Sequence, residues 1–239
     1  MSRRGLVALI VACTLPALAA CGGGSTSATS SPPSVSASEA EAWLARVVLA
    51  PGDAGEGYTA DVARSITNDE AAKARPDTDS ARQQYADWGQ VLAYNVQFGA
   101  PASADLVFSG TAARVMNTAT LYRDADGASA ALASAGGLAP QVVANFLVND
   151  GAGTKISETQ VIKLADFPPK GDESFAWRLS GKAVFADGFT INFVADAVFV
   201  RVGRATGNVT AVALGQPPER GRLTELVDTF VSRVRAAGS

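Results

Sequence analysis

Apolar residues recur at helical spacing at both ends of the stretch that has the composition of a folded domain. The first helix is predicted to begin after Ser38, which serves as its N-cap, and to end before Pro51. Its apolar face consists of Trp43, Leu44, Val47 and Val48. The last segment, Glu219 to Arg235, has the same spacing and predicts a terminal helix lying across a sheet.

Between these helices, several segments have strand-like composition, and residues 189–202 alternate apolar with polar or mixed positions in the manner of a strand. The expected strands are residues 55–67, 91–98, 115–122, 156–164, 174–185, 189–202 and 208–214. Further helices are expected after Asn68, over residues 79–89, after Asp124 as N-cap, and over residues 140–147. The pair Asp187-Gly188 is typical of a turn that closes a hairpin between the two strands beside it. This order predicts one α+β domain over residues 39–239, a central antiparallel β-sheet flanked by helices.

The first 20 residues differ from the rest. Arg3 and Arg4 precede an uncharged run of about 16 residues, which is short for a membrane span of roughly 20 residues and predicts an export signal over residues 1–20. The end of this run, Leu18-Ala19-Ala20-Cys21-Gly22, resembles the bacterial lipobox. The resemblance implies cleavage between Ala20 and Cys21 and attachment of a diacylglyceryl group to the Cys21 thiol.

A disulfide is the competing role for Cys21. Its one possible partner is Cys13, the other of the two cysteines, and Cys13 lies inside the segment that would be removed. Lipidation is therefore the better interpretation, and two or more acyl chains anchor a protein stably. We expect the protein on the outer face of the bacterial cytoplasmic membrane or in the cell envelope, with the membrane as a partner through acylated Cys21.

Residues 21–38 comprise the lipidated Cys21 and an uncharged segment rich in Gly, Ser, Thr and Pro. This composition predicts a disordered tether. A coil of this length spans about 23 Å. Removal of Arg3 and Arg4 takes the formal net charge of the chain from −3 to −5, without any basic cluster, and this excludes nucleic acid as an expected partner.

Histidine does not occur in this chain, so triads based on imidazole and the usual zinc sites are excluded. Paired carboxylates remain a possible catalytic device, and the acids on or beside the predicted sheet are Asp172, Glu173, Asp187 and Asp196. The Ser180-Gly181-Lys182 tripeptide lacks the spacing of a serine-lysine enzyme. The glycine-rich stretches 149–155 and 203–207 predict turns, since neither has the phosphate-loop pattern.

Several short stretches together resemble PsbP-like domains of uncharacterised bacterial, actinobacterial-type surface lipoproteins. These stretches are residues 49–58, 122–128, 171–174 and 200–203. The resemblance implies a central antiparallel sheet with helices on both sides, and a role in binding, sensing or envelope assembly without catalysis. It defines no functional residue and no cofactor for this chain. The expected partner is a small hydrophobic ligand or an envelope protein; the alternative is an envelope polysaccharide hydrolase that uses paired carboxylates.

Overall fold

The computed structural model describes residues 35–101, 109–137, 155–184 and 188–238. Its helices are α1 (Ala37–Val47), α2 (Pro51–Ala54), α3 (Asn68–Lys73), α4 (Thr78–Asp87), α5 (Ala125–Gly136) and α6 (Arg220–Ala236). Its strands are β1 (Thr59–Ile66), β2 (Gln90–Gly99), β3 (Ala112–Tyr122), β4 (Lys155–Lys163), β5 (Glu173–Val184), β6 (Thr190–Val202) and β7 (Ala205–Leu214).

The seven strands form one sheet in the order β1-β2-β3-β7-β6-β5-β4, and every neighbouring pair is antiparallel. The predicted fold class is therefore confirmed: this is a single α+β domain with a central antiparallel sheet flanked by helices. Strands that follow each other in the chain pair, except that β3 pairs with β7 and not with β4, which places the last strand at the centre of the sheet.

One side of the sheet, here called the first face, is covered by α1 and α6. The core between them is almost entirely aliphatic and aromatic, because alternate positions of β2, β3, β6 and β7 point the same way. Its largest fully buried members include Phe98, Leu121, Leu223, Leu226 and Phe230. Phe230 packs directly on Gly207 of β7, where a Cβ atom would collide with the phenyl ring. A glycine is thus required at this close approach of α6 to the sheet.

The opposite side, here called the second face, carries α3 and α4 over β2 and carries α5 over β3, β5, β6 and β7. Small residues of α5 allow it to lie close to the sheet: Ala128, Ala131 and Ala135 are all buried. Gly127 in its first turn faces the Trp88 carbonyl, where a Cβ atom would overlap that oxygen.

Two of the predicted helix starts are wrong. The N-cap of α1 is Ser36 and not Ser38, and Glu39 returns a hydrogen bond to the Ser36 amide at 2.9 Å. Val35 packs against the core immediately before this cap, which fixes the start of the helix there. Thr67, not Asn68, caps α3 through the same reciprocal arrangement with Glu70. The predicted cap Asp124 is confirmed, since its carboxylate accepts the Gly127 N–H at 2.8 Å.

The outer strands β1 and β4 are irregular. The register of β1 shifts between Ala60 and Val62, and that of β4 shifts between Ser157 and Gln160. Within the β4 bulge, Glu158 has a φ of 53°, which is uncommon for a residue with a side chain. The predicted helix at 140–147 and the turn residue Asp187 lie outside the described residues.

Candidate functional site

The predicted lipidation and cleavage residues, Cys21 and Ala20, lie outside the described residues, so both assignments stay predictions. In the part of the chain that the structure describes, no helix has the length and apolarity required to cross a membrane.

The acids proposed for catalysis are held by arginines. Arg201 contacts Asp172 at 3.2 Å through Nη1 and Glu173 at 2.9 Å through Nε. Glu173 also accepts a hydrogen bond from Ser129 of α5 at 2.9 Å. This cluster therefore ties the start of β5 to the end of β6 and to α5, which is a structural use of both carboxylates.

Asp196 is separate from that cluster. It is 1% exposed and lies on the first face, where both carboxylate oxygens accept hydrogen bonds from Arg178 at 2.6 Å. Arg201 lies five positions further along β6, a distance of about 16 Å, and the two side chains point to opposite faces. Asp196 thus shares no cleft with Asp172 and Glu173. The fourth acid, Asp187, lies outside the described residues.

Two other sequence features have structural roles. Lys182 forms an ion pair with Glu158 across β5 and β4 at 2.6 Å, so the Ser180-Gly181-Lys182 tripeptide is a polar surface on a strand. The 203–207 stretch makes a tight hairpin, in which Gly203 has a φ of 57° and Val202 pairs with Ala205. The described ranges contain no group of three or more acids that could hold a metal ion.

The structure forms a cleft that sequence patterns did not predict. The α6 cleft, as we call it, opens on the first face between α2, the start of β3, the end of β7 and the start of α6, and has a volume of about 240 Å³. Its floor consists of Val115, Ala211, Leu223 and Leu226. Each of these four side chains is at most 3% exposed, so the floor belongs to the main core.

One wall of the cleft depends on the turn between α2 and β1. Gly55 and Gly57 have φ angles of 134° and 78°, and this glycine-rich turn brings Tyr58 over the cleft. The Tyr58 hydroxyl donates a hydrogen bond to the Ala112 carbonyl. Burial raises the pKa of Tyr58 while Arg222 opposes the shift, and the phenol is therefore neutral at physiological pH.

Arginines of α6 fix the other wall. Arg222 donates to the Asp53 carbonyl and, at 2.9 Å, to Glu225. Arg233 donates to the Asp53 carboxylate at 2.9 Å and to the Val48 carbonyl at 2.7 Å. Asp53 in turn accepts the Ala50 N–H at 2.6 Å, which closes α2. The polar groups at the mouth are thus used to hold the wall, and the interior of the cleft remains apolar.

The sequence matches no protein-family model and no curated protein. Among solved structures, the chain is similar to the crystal structure of the extracellular domain of PknH from Mycobacterium tuberculosis, with 12% sequence identity and a TM-score of 0.49. The similarity covers 82% of this chain and 97% of that chain. We transfer no residue role from that domain, since function resides in sites and not in a shared architecture.

Proposed function

We propose that this protein is a bacterial surface lipoprotein of PsbP-like type, which binds a small apolar ligand in the α6 cleft outside the cytoplasmic membrane. Acylated Cys21 anchors it, and the tether over residues 21–38 separates the folded domain from the lipid surface. Binding or sensing is its role in this proposal, in place of catalysis.

The observation that carries the ligand proposal is the apolar floor of the α6 cleft. Ligand pockets are concave and mostly apolar, with a few polar groups that set orientation. Here Leu223, Leu226 and Val115 supply the apolar surface, and the Tyr58 hydroxyl and Arg222 lie at the wall. At about 0.8 kcal/mol per buried methylene, each methylene of a ligand that enters the cleft adds to the gain from burial, so affinity should rise with the length of the apolar part of the ligand.

A binding role is favoured over the polysaccharide hydrolase. A retaining or inverting glycosidase needs one carboxylic acid that can hold a proton beside a second carboxylate. Asp172 and Glu173 instead share the permanent positive charge of Arg201, and Asp196 is bonded to Arg178. Each of these three carboxylates is thus held in a structural ion pair, and Asp196 lies on the opposite face of the sheet from Arg201 and its partners.

Native mass spectrometry of the full chain purified from its own host tests the ligand proposal. We expect a copurified small molecule with the parent protein and none with Thr111→Trp, because Thr111 lies exposed at the cleft and an indole there fills it. The matched control is Ser80→Trp, an equally exposed position on α4 across the sheet. The proposal fails if the bound molecule is absent from the parent protein or is retained by Thr111→Trp.

Metabolic labelling with an alkyne-tagged palmitate tests the anchor. The parent chain and the Cys13→Ser variant should both incorporate the label and partition with membranes. Cys21→Ser should do neither, because the thiol that accepts the lipid is removed. Equal labelling of Cys21→Ser and the parent would contradict anchoring through Cys21.

A further inference from the structure

A second cleft lies on the second face, away from α6. The α4–α5 cleft, as we call it, is bounded above by α4 and α5 and below by the central strands, with a volume of about 80 Å³. Since one water needs about 10–15 Å³ by this measure, the cleft has room for roughly five to eight non-hydrogen atoms. Its walls include Trp88, Leu132 and Phe199, and its floor includes Thr118, Thr120 and Thr206.

The floor belongs to a polar stripe that runs along β2, β3 and β7. The members of this stripe are Asn95, Gln97, Arg114, Thr118, Thr120, Thr206, Asn208 and Thr210. Cross-strand pairing sets Asn95 beside Thr118 and Thr118 beside Asn208, so the stripe is continuous across the three strands. Gln97 is only 1% exposed. Buried amides at the centre of a sheet require hydrogen bonds to offset their desolvation.

These hydrogen bonds have one direction. Arginine has donors and no acceptor, so Arg114 Nη1, 3.0 Å from the Gln97 side chain, must face its Oε1 atom. Gln97 Nε2 is then left to donate to Asn95 Oδ1 at 3.1 Å. Asn95 Nδ2 donates in turn to Thr118 Oγ1 at 2.7 Å. The charge of Arg114 thus fixes the orientation of both amides, and the series of donors ends at Thr118.

The Thr118 hydroxyl accepts at this end and has its own proton left to donate. Within the described residues, Thr118 makes no other side-chain hydrogen bond, and its side chain lines the cleft. A hydroxyl that accepts a hydrogen bond becomes a better donor, because bonds in a chain polarise one another. The floor of the cleft therefore presents a strengthened donor to whatever occupies it.

The remaining lining is uncharged. Among the described residues that line the cleft there is no acid, lysine or arginine. Tyr122, also in the lining, has its pKa raised by burial to about 12, so it is a neutral phenol at physiological pH. A charged ligand would lose its hydration here without an opposite charge, which is costly. The cleft therefore favours a neutral ligand with an apolar body and an acceptor oxygen.

We propose that the α4–α5 cleft binds a small neutral cyclic carbonyl compound, whose oxygen accepts a hydrogen bond from Thr118 Oγ1 while its ring lies against Trp88 and Phe199. This site is independent of the α6 cleft, which lies on the other side of the sheet.

The full acylated chain in lipid nanodiscs, labelled with 5-fluorotryptophan, provides a specific readout by ¹⁹F NMR. Trp88 lines the cleft, while Trp43 in α1 and Trp177 in β5 do not and serve as internal controls. The probe is cyclohexanone, and its matched partner is methylenecyclohexane, which has the same shape without the oxygen. We expect a saturable shift of the Trp88 resonance alone, with affinity for cyclohexanone about threefold to tenfold greater than for methylenecyclohexane.

Variants of the floor identify the donor. Thr118→Val should lower the affinity for cyclohexanone to the affinity for methylenecyclohexane. Thr118→Ser should preserve the difference between the two affinities because it keeps the hydroxyl. Thr120→Val is the matched control in the same cleft, since it removes a neighbouring hydroxyl of the floor and leaves Thr118 unchanged. The proposal is overturned by equal binding of the two probes to the parent chain, by no Trp88 shift, or by unchanged selectivity in Thr118→Val. If Thr118→Val fails to fold, the probe pair with the parent and Thr118→Ser still decides the question.

Discussion

The two faces of the sheet are both buried, but they are buried with different chemistry. On the first face, α1 and α6 enclose aliphatic and aromatic side chains, whose removal from water stabilises the fold in proportion to area. On the second face, β2, β3 and β7 present buried amides, hydroxyls and an arginine beside a smaller apolar cluster of Met116, Leu179, Phe193, Ala195 and Val212. Such polar groups contribute little net stability even when every hydrogen bond is made.

This difference separates the stability of the domain from the recognition that we propose. The first face holds the fold together, and its cleft is a local gap in an apolar core. The second face orders polar atoms with defined directions, and these directions bear on the proposed recognition more than on stability. The predictions below test whether the energies divide between the faces in this way.

Phe230→Ala should have the largest effect. Phe230 is 1% exposed and packs on Gly207, so its removal leaves a cavity under α6. We expect a loss of about 3–5 kcal/mol in the free energy of unfolding, measured by urea denaturation. A loss below about 1 kcal/mol would show that the first face does not dominate stability.

Asp196→Ala should rank second, because it removes one partner of a charge pair that lies on the otherwise apolar face. The Arg178 side chain is 23% exposed and keeps part of its hydration. We therefore expect a loss of about 3 kcal/mol in the free energy of unfolding, at the lower end of the range for buried ion pairs. The double variant Asp196→Leu with Arg178→Met is the control and should recover most of this loss. No recovery would mean that packing, and not the isolated charge, determines the cost.

Tyr122 should make the domain sensitive to alkaline pH. Burial raises the pKa of Tyr122 in the folded state to about 12, above the ordinary phenol value of 10.0, so the folded state retains a proton that the unfolded chain loses. The contribution of Tyr122 to the free energy of unfolding is fully present below pH 10. It declines as pH rises toward 12, by about 2–3 kcal/mol in total. Denaturation curves between pH 8 and 12 should show the decline in the parent chain. Tyr122→Phe should lack that component, and an identical pH profile in the two proteins would contradict it.

Gln97→Met should have the smallest effect of the four. It removes the amide that links Arg114 to Asn95 while it fills a similar volume. We expect a loss of about 1–2 kcal/mol in the free energy of unfolding, since Arg114 and Asn95 each lose one hydrogen-bond partner. The control is Val96→Ala, the neighbouring residue on the first face, where the lost methyl groups alone set the cost. A loss as large as that of Phe230→Ala would remove the distinction between the faces.

The sequence predicted the elements better than the sites. All seven strands were located, and the clearest signal was the alternation along residues 189–202, because the pattern of one strand depends on residues within it. The α3 start was missed although Thr67 and Glu70 have the spacing of a reciprocal cap. The alternation of Asn95 and Gln97 with Val96 and Phe98 indicates that β2 has a polar side, but it does not reveal that this side is buried.

Neither cleft could be predicted from the sequence, since the residues that line each cleft come together only in the folded chain. Tyr58, Val115, Ala211 and Leu223 come from three elements and the turn between α2 and β1, and no local spacing connects them. The pairing of Asp196 with Arg178 likewise depends on the register between β5 and β6. The acids could be identified as candidates from their positions near the sheet, whereas their neutralisation by arginines required the tertiary structure.

The irregular outer strands affect how copies of this domain can meet. An even strand edge would let neighbouring copies join into extended ladders. The bulges at Ala60 and Val62 and between Ser157 and Gln160 interrupt both edges, so a neighbouring copy could match only a few hydrogen bonds at a time. Dense packing of this domain is therefore compatible with its remaining dispersed.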